Sequence, residues 1–290
     1  MILVGTSGFS YLDWTGVFYP PGTGRPEMLP YYATRFSLVE LDYTYYQMPN
    51  ARTMAAMAAK TPPTFTFCVK AYKELTHRRD LLADELTRLA DAFRHALEPL
   101  QEAGKLGCVL AQFPWSFRAT PESLEFIAAL QASLPGLPMV IEFRNVEWVK
   151  KETFVFLRDF GLGFCCVDEP RLRGLFPPLA LATNTIGYIR FHGRNAVKWW
   201  RHEEAWERYD YDYSQAELAE WIPRIRKVSA RTERTFVLMN NCHAGYAVQN
   251  ALRLQAMLQD ESLAGDHGAD AGGAGAANAG VFHEEQRSWL

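Results

Sequence analysis

The sequence is poor in cysteine and has no cysteine pair with zinc-binding spacing. It contains five cysteines in 290 residues, and no C-x-x-C occurs. An odd number of cysteines without paired spacing indicates neither a disulfide framework nor a zinc ribbon. Most of them lie in apolar runs, where cysteine usually packs as a small hydrophobic residue. This pattern is typical of a protein kept in a reducing compartment.

Long apolar runs are absent as well. No stretch of about 18 apolar residues, the length that a transmembrane helix needs, is free of charge. The chain begins Met1-Ile2-Leu3-Val4-Gly5, without the positive segment and apolar core of a secretory leader. We therefore expect a cytoplasmic protein that does not associate with membranes.

The chain also lacks an excess of positive charge. Lys and Arg number 30 against 33 Asp and Glu, which gives a net charge of −3. This balance argues against binding of duplex nucleic acid through a broadly basic surface, but it permits a local cationic cleft. The hydrophobic fraction of 48% is that of a folded globular protein rather than a disordered one.

What the sequence does contain is a series of eight short β-rich runs, most of them apolar from end to end. Such runs are typical of strands that are covered on both faces of a parallel sheet. Helical patterns lie between them, and eight strand–helix alternations are the number that closes a (β/α)8 barrel. The runs are residues 2–5, 37–42, 64–70, 107–113, 139–144, 163–168, 186–192 and 235–240.

Helix signals support this alternation. Residues 84–104 carry apolar side chains three to four residues apart, as in one buried stripe. Thr120 precedes a proline at a helix start, and Ser214 stands three residues before Glu217, as in a capping box. Pro223 should kink or interrupt the helix that follows, and residues 243–259 form the last helix.

We predict a single α/β domain over residues 1–260, folded as a (β/α)8 TIM-type barrel with parallel strands. A doubly wound open sheet is the alternative. The barrel is favoured because Gly5-Thr6-Ser7-Gly8 does not continue as the nucleotide-binding G-x-G-x-x-G after the first strand. Residues 261–290 are rich in glycine and alanine, and we expect a flexible C-terminal tail.

Polar residues collect where the predicted strands end. In a barrel these ends meet at one face, which is where active sites lie. A charge on an apolar strand is costly to bury unless it is paired, so a single case has a structural explanation, whereas a repeated pattern predicts a polar pocket. The residues are Glu40, Asp42, Lys70, Gln112, Glu142, Arg144, Asp168, Arg190, His192, Arg194 and Asn240, with His77 shortly after the third strand and Trp14 in the aromatic loop after the first.

Cations among these residues suggest an anionic ligand. Barrels often bind phosphate in the loops after strands seven and eight, where Arg190 and Arg194 lie, and arginine suits bidentate recognition of phosphate. We therefore expect an enzyme that acts on a small phosphorylated substrate, with Arg190, Arg144 and Lys70 holding the anion. Arg190→Ala should then weaken ligand binding and leave the fold intact.

The remaining candidates complete this hypothesis. His192 and Glu142 exchange protons as general acid and base. Asp168 and Glu40 orient them or contact substrate hydroxyls. The neutral or accessory contacts to substrate come from Asn240, Gln112, Asp42, Arg194, Trp14 and His77. No cofactor is implied.

Other interpretations stay open. The cations can simply neutralise Glu40, Glu142 and Asp168. The same carboxylates with His192 can form the site of a divalent-metal-dependent hydrolase or isomerase, although no dense ligand motif is present and nearby cations oppose a metal. A pair of carboxylates can also catalyse glycoside hydrolysis.

The aromatic loop after the seventh strand allows a non-enzymatic function. Residues 198–213 interleave Trp and Tyr with Lys198, Arg201 and Arg208, as in surfaces that stack on single-stranded nucleic acid or bind a protein partner. Acidic residues dilute this charge, so the loop can equally well cover the mouth of the barrel. The oligomeric state and the reaction are left open by the sequence.

Several motifs, in order, resemble those of the YecE-like family, domain of unknown function seventy-two. The resemblance spans about residues 2–258 and implies a TIM-type barrel. It implies no activity, because the family is named for lacking one. Asp42 stands where the family usually has Asn, and Met239 where it has an aromatic residue. The motifs are Gly5-Thr6-Ser7-Gly8-Phe9-Ser10-Tyr11, Glu40-Leu41-Asp42-Tyr43-Thr44-Tyr45-Tyr46, Gln112-Phe113-Pro114, Glu142-Phe143-Arg144, Val167-Asp168, Arg190-Phe191-His192-Gly193-Arg194 and Asn240-Asn241.

Overall fold

Eight parallel strands close into one barrel in the computed structural model, which describes residues 1–260. Neighbouring strands pair in chain order, and the eighth pairs with the first. The predicted (β/α)8 barrel is therefore confirmed, whereas the predicted tail, residues 261–290, lies outside the described residues. The strands are β1 Ile2–Ser7, β2 Leu38–Leu41, β3 Thr66–Lys70, β4 Leu106–Gln112, β5 Met139–Glu142, β6 Gly163–Asp168, β7 Ile186–Phe191 and β8 Arg234–Met239.

Within residues 1–260, ten α-helices surround the barrel or lie in its loops. The long α5 carries the predicted apolar stripe, and the side chain of Thr120 caps α6 as expected. The helices are α1 Arg25–Tyr32, α2 Tyr43–Tyr46, α3 Ala51–Ala59, α4 Lys73–His77, α5 Ala83–Glu102, α6 Pro121–Ser133, α7 Lys151–Asp159, α8 Gln215–Ala219, α9 Ile222–Ser229 and α10 Tyr246–Gln259.

The element boundaries differ from the sequence-based prediction where the backbone turns. β2 ends before Asp42, which precedes α2, and β5 ends before Arg144. The chain between α8 and α9 is interrupted just before Pro223, as predicted. The last helix begins at Tyr246 rather than at His243, because Ala244 and Gly245 take positive φ angles of 52° and 79°.

The strands are almost entirely buried, since helices cover their outer faces and side chains fill the barrel. All five cysteines are free and buried, as their apolar surroundings predicted. Within residues 1–260, no helix combines the length and the apolar character needed to cross a bilayer.

Two long connections fold over the carboxyl ends of the strands. The loop after β1 is tied to the loop after β8, because the indole Nε1 of Trp14 donates to the Cys242 carbonyl at 2.8 Å and the Ala244 amide donates to Asp13 at 2.8 Å. The loop after β7 crosses the same end, where Trp206 stacks on His243 with ring centroids 4.1 Å apart. These loops build walls above the strand ends.

Candidate functional site

A cavity of about 1160 Å³ opens at the carboxyl ends of the strands. Four of its lining residues, Asp42, Lys70, Arg144 and Asn240, follow or end β2, β3, β5 and β8. We call these four residues the polar patch. Their position confirms that side chains from separate strand ends meet at one face of the barrel, as parallel strands require.

A buried ion network centred on Arg190 lies beneath the polar patch. Arg190 Nη1 donates to Glu142 Oε2 at 2.7 Å, and Nη2 donates to Glu40 Oε1 at 2.6 Å. All three side chains are 0% exposed. Burial opposes the charge of the guanidinium, but the two carboxylates hold the pKa of Arg190 well above its usual range. The charge of Arg190 is therefore neutralised by the protein itself.

Arg144 connects this network to the cavity. Its Nε lies 2.5 Å from Glu142 Oε1, and its Nη1 donates to Glu169 Oε2 at 3.0 Å. Glu169 also accepts a hydrogen bond from the Phe176 amide at 2.9 Å. Burial raises the pKa of Glu169 to about 7 against the opposing effect of Arg144. Sequence reasoning missed Glu169, although its place directly after Asp168 at a strand end was a usable signal.

His192 is a neutral bridge between Glu142 and Asn240. Its Nε2 lies 3.1 Å from Glu142 Oε1, and its Nδ1 lies 2.9 Å from the amide nitrogen of Asn240. Because an amide nitrogen only donates, Nδ1 accepts and Nε2 carries the proton that is donated to Glu142. Burial and Arg144 lower the pKa of His192 to about 3, so the ring stays neutral.

This depressed pKa predicts a pH-dependent stability. The unfolded histidine titrates at 6.5 and the folded one at about 3, so only the unfolded chain binds the proton between these values. The contribution of His192 is complete above pH 6.5 and is lost as pH falls, by about 1.4 kcal/mol per pH unit. We expect His192→Gln to remove this slope from urea unfolding measured between about pH 7 and pH 5.

The exposed His95 supplies the matched control. His95→Gln should retain the slope that His192 contributes. If His192→Gln and the unmodified protein had the same slope, His192 would not be a buried neutral group.

Asp42 and Lys70 both line the cavity and are partly accessible there. Their side chains are 23% and 11% exposed, and Lys70 Nζ lies 3.2 Å from Asp42 Oδ1. Burial disfavours ionisation of Asp42, but Lys70 and Arg190 hold its pKa below the usual range. Burial likewise disfavours the charge of Lys70, and Asp42 raises its pKa. The two groups form an ion pair at the cavity surface.

Asp168 and Arg194 lie in a separate cluster that does not line the cavity. Arg194 Nε and Nη2 donate to the two oxygens of Asp168, each at 2.8 Å. The Tyr213 hydroxyl and the Trp221 indole donate to the same carboxylate at 2.7 and 2.6 Å. This cluster connects β6 to the end of the loop after β7 and to the start of α9.

Three further residues that were predicted to contact substrate do not line the cavity. Trp14 is fully buried, and Gln112 donates to the carbonyl of Phe113 at 2.9 Å. His77 contacts the Tyr45 hydroxyl at 3.2 Å and lies outside the cavity lining. The roles of these residues as substrate contacts stay predictions.

The aromatic loop after β7 forms part of the cavity wall. Ala205, Trp206 and Tyr209 line the cavity, whereas Trp199 is buried and Trp200 is half-exposed on the outside. In the described part of the chain, no three His, Cys, Asp or Glu side chains are grouped as a metal site requires. Glu40 and Glu142 instead share their oxygens with Arg190.

The family model described as "Protein of unknown function DUF72" matches residues 3–271. The chain belongs to the DUF72 family. The resemblance drawn from the sequence motifs is thereby confirmed. The UPF0759 protein YunF of Bacillus subtilis (strain 168) is 32% identical over 273 residues, which cover 90% of this chain and 96% of that protein.

Solved structures of DUF72 proteins share the barrel. A DUF72 family protein of Thermotoga maritima MSB8 matches with a TM-score of 0.82 and 41% identity, covering 90% of this chain and 100% of that chain. A DUF72 family protein of Enterococcus faecalis V583 matches with a TM-score of 0.80 and 29% identity, covering 89% and 95%.

Proposed function

We propose that this DUF72 protein is an enzyme that acts by acid–base chemistry on a small phosphorylated substrate in the cavity. The charge of the cavity wall carries the proposal. Five cationic residues line it against two carboxylates, and a fixed excess of cations favours an anionic ligand. The cations are Arg25, Arg52, Lys60, Lys70 and Arg144, and the carboxylates are Asp13 and Asp42.

Asp42 and Lys70 are the reactive pair in this proposal. The Asp42 carboxylate accepts a proton from the substrate, and the Lys70 ammonium beside it stabilises the negative charge that develops there. They replace the predicted pair of His192 and Glu142, because those two side chains are 0% exposed and already bonded to protein groups.

The buried residues keep the polar patch in place. Glu142 and Glu169 hold the guanidinium of Arg144, and His192 holds the amide of Asn240. Arg190 neutralises the two carboxylates beneath them. Such support fixes the orientation of groups that contact substrate and lowers the cost of reorganisation during the reaction.

The proposal is tested by combining ligand stabilisation with turnover. A ligand at about 100 times its dissociation constant adds about 2.7 kcal/mol to stability, which a melting curve resolves. We expect stabilisation by phosphorylated compounds and not by matched neutral sugars. A compound that binds should be converted, and Asp42→Asn should lower kcat by about 10²- to 10⁴-fold while retaining binding.

Arg35→Gln is the control, because Arg35 is exposed and does not line the cavity. It should leave both binding and turnover unchanged. The proposal fails if no phosphorylated compound stabilises the protein, or if Asp42→Asn turns over the bound compound as fast as the unmodified enzyme.

A further inference from the structure

The cavity continues beyond the barrel mouth into a groove between α1 and α3. Arg52, Thr53, Ala56, Met57 and Lys60 line it at intervals that repeat one face of a helix. The nine residues from Arg52 to Lys60 span about 12 Å, which is eight steps of 1.5 Å. Opposite them, the first two turns of α1 contribute Arg25, Pro26 and Leu29. We call this space the α1–α3 groove.

The lining of the groove combines apolar and cationic side chains. Leu29, Ala56 and Met57 supply apolar surface, together with Leu41 at the end of β2. Arg25, Arg52 and Lys60 are exposed at its edges, and none of the three has an ion-pair partner among residues 1–260. They differ from Lys70 and Arg144, whose charges are paired with carboxylates.

In many barrels phosphate binds in the loops after strands seven and eight. Here the arginines and the amide at that position are already bonded to carboxylates of the protein. Arg190 is held by Glu40 and Glu142, and Arg194 by the carboxylate of Asp168. The Ala244 amide in the loop after β8 donates to Asp13. The cations that are free to bind a phosphate therefore lie on the α1–α3 side.

We propose that the α1–α3 groove binds the phosphate end of an extended substrate of the nucleoside monophosphate class. This inference rests on the proposed function. The phosphate lies against Arg25, Arg52 and Lys60, and the opposite end of the molecule reaches the polar patch.

The volume of the cavity and the aromatic rings in its wall favour a nucleoside monophosphate over a simple sugar phosphate. The cavity of about 1160 Å³ exceeds the range of about 300–1,000 Å³ that is usual for ligand pockets. The exposed ring of Tyr46 and the half-exposed ring of Trp206 line it, and such rings stack on planar groups.

Titration calorimetry with a truncation series tests the inference. The probes are adenosine monophosphate, adenosine, ribose 5-phosphate and inorganic phosphate. We expect adenosine monophosphate to bind at least about tenfold more tightly than each fragment, because each fragment lacks one part of the contact. The double variant Arg52→Gln/Lys60→Gln should weaken it by about tenfold or more and leave adenosine unchanged.

Arg35→Gln serves again as the exposed control, and circular dichroism verifies that the variants are folded. Equal affinities for adenosine monophosphate and ribose 5-phosphate would overturn the extended class but leave the proposed function standing. Unchanged binding in the double variant would overturn the groove as the phosphate site. If no phosphorylated compound binds at all, the inference and the proposed function fail together.

Discussion

Arg190→Ala is expected to lower the free energy of unfolding by about 3–5 kcal/mol. The substitution removes the shared partner of Glu40 and Glu142, both of which are fully buried. Glu40 would then keep only the Tyr188 hydroxyl, while Glu142 would keep Arg144 and His192. A buried carboxylate that loses its cation is strongly destabilising. The sequence alone suggested a loss of ligand binding with an intact fold, so the burial of Arg190 reverses that expectation.

Urea unfolding of Arg190→Ala, Arg190→Lys and Arg35→Ala measures this effect. Lys carries the charge but not the two-pronged geometry, so Arg190→Lys should fall between Arg190→Ala and the unmodified protein. The exposed Arg35→Ala should change stability by less than about 0.5 kcal/mol. A loss below about 1 kcal/mol in Arg190→Ala would mean that Glu40 and Glu142 do not depend on it.

Asp168→Ala is expected to be destabilising by about 3 kcal/mol or more. The carboxylate accepts hydrogen bonds from Tyr213, Trp221 and twice from Arg194. Its removal leaves the buried hydroxyl and indole donors unsatisfied. Because these donors belong to the end of the loop after β7 and to the residue preceding α9, the loop should also loosen.

Denaturant unfolding and limited proteolysis separate the two effects. The cleavage rate within residues 194–213 should rise in Asp168→Ala relative to the unmodified protein. Asp159→Ala, at the exposed end of α7, is the matched control and should change neither quantity. A stable, protease-resistant Asp168→Ala that had lost only activity would instead support the catalytic role predicted from sequence.

The barrel could be predicted from sequence because its strands are buried on both faces. Each strand therefore appears as a short apolar run, as in residues 163–168, where the predicted and observed boundaries agree. The end of β2 was placed too late because Glu40 and Asp42 share the two-residue spacing of one strand face. The backbone turns into α2 after Leu41, and only the three-dimensional pairing with β3 shows this.

The candidate site was predictable in position but not in its pairings. Lys70 and Arg190 both end apolar strands, yet Lys70 lines the cavity and Arg190 is covered by its partners. Asp168 and Asp42 both stand at predicted strand ends, so the sequence gives them the same expected access to substrate. In the structure, Tyr213 and Trp221 from distant segments donate hydrogen bonds to Asp168. Such partners are set by tertiary contacts that no local pattern records.

The free cations were missed for a related reason. Exposed charges are common on helices, so a cation on a helix is not recognisable from the sequence as part of a site. This applies to Arg25 on α1 and to Arg52 and Lys60 at α3. Their importance comes from lining one groove together, with no carboxylate partner in the described part of the chain. The ends of the strands therefore predict the polar patch, whereas the groove beside it is visible only in the folded chain.

A crystal structure of the protein soaked with adenosine monophosphate would locate the substrate site. We expect electron density within the cavity, with the phosphate against Arg52 or Lys60 and the other end of the ligand in contact with Lys70 or Asp42. Density for the ligand elsewhere on the surface, with an empty cavity at saturating concentration, would contradict the claim that this mouth is the substrate site.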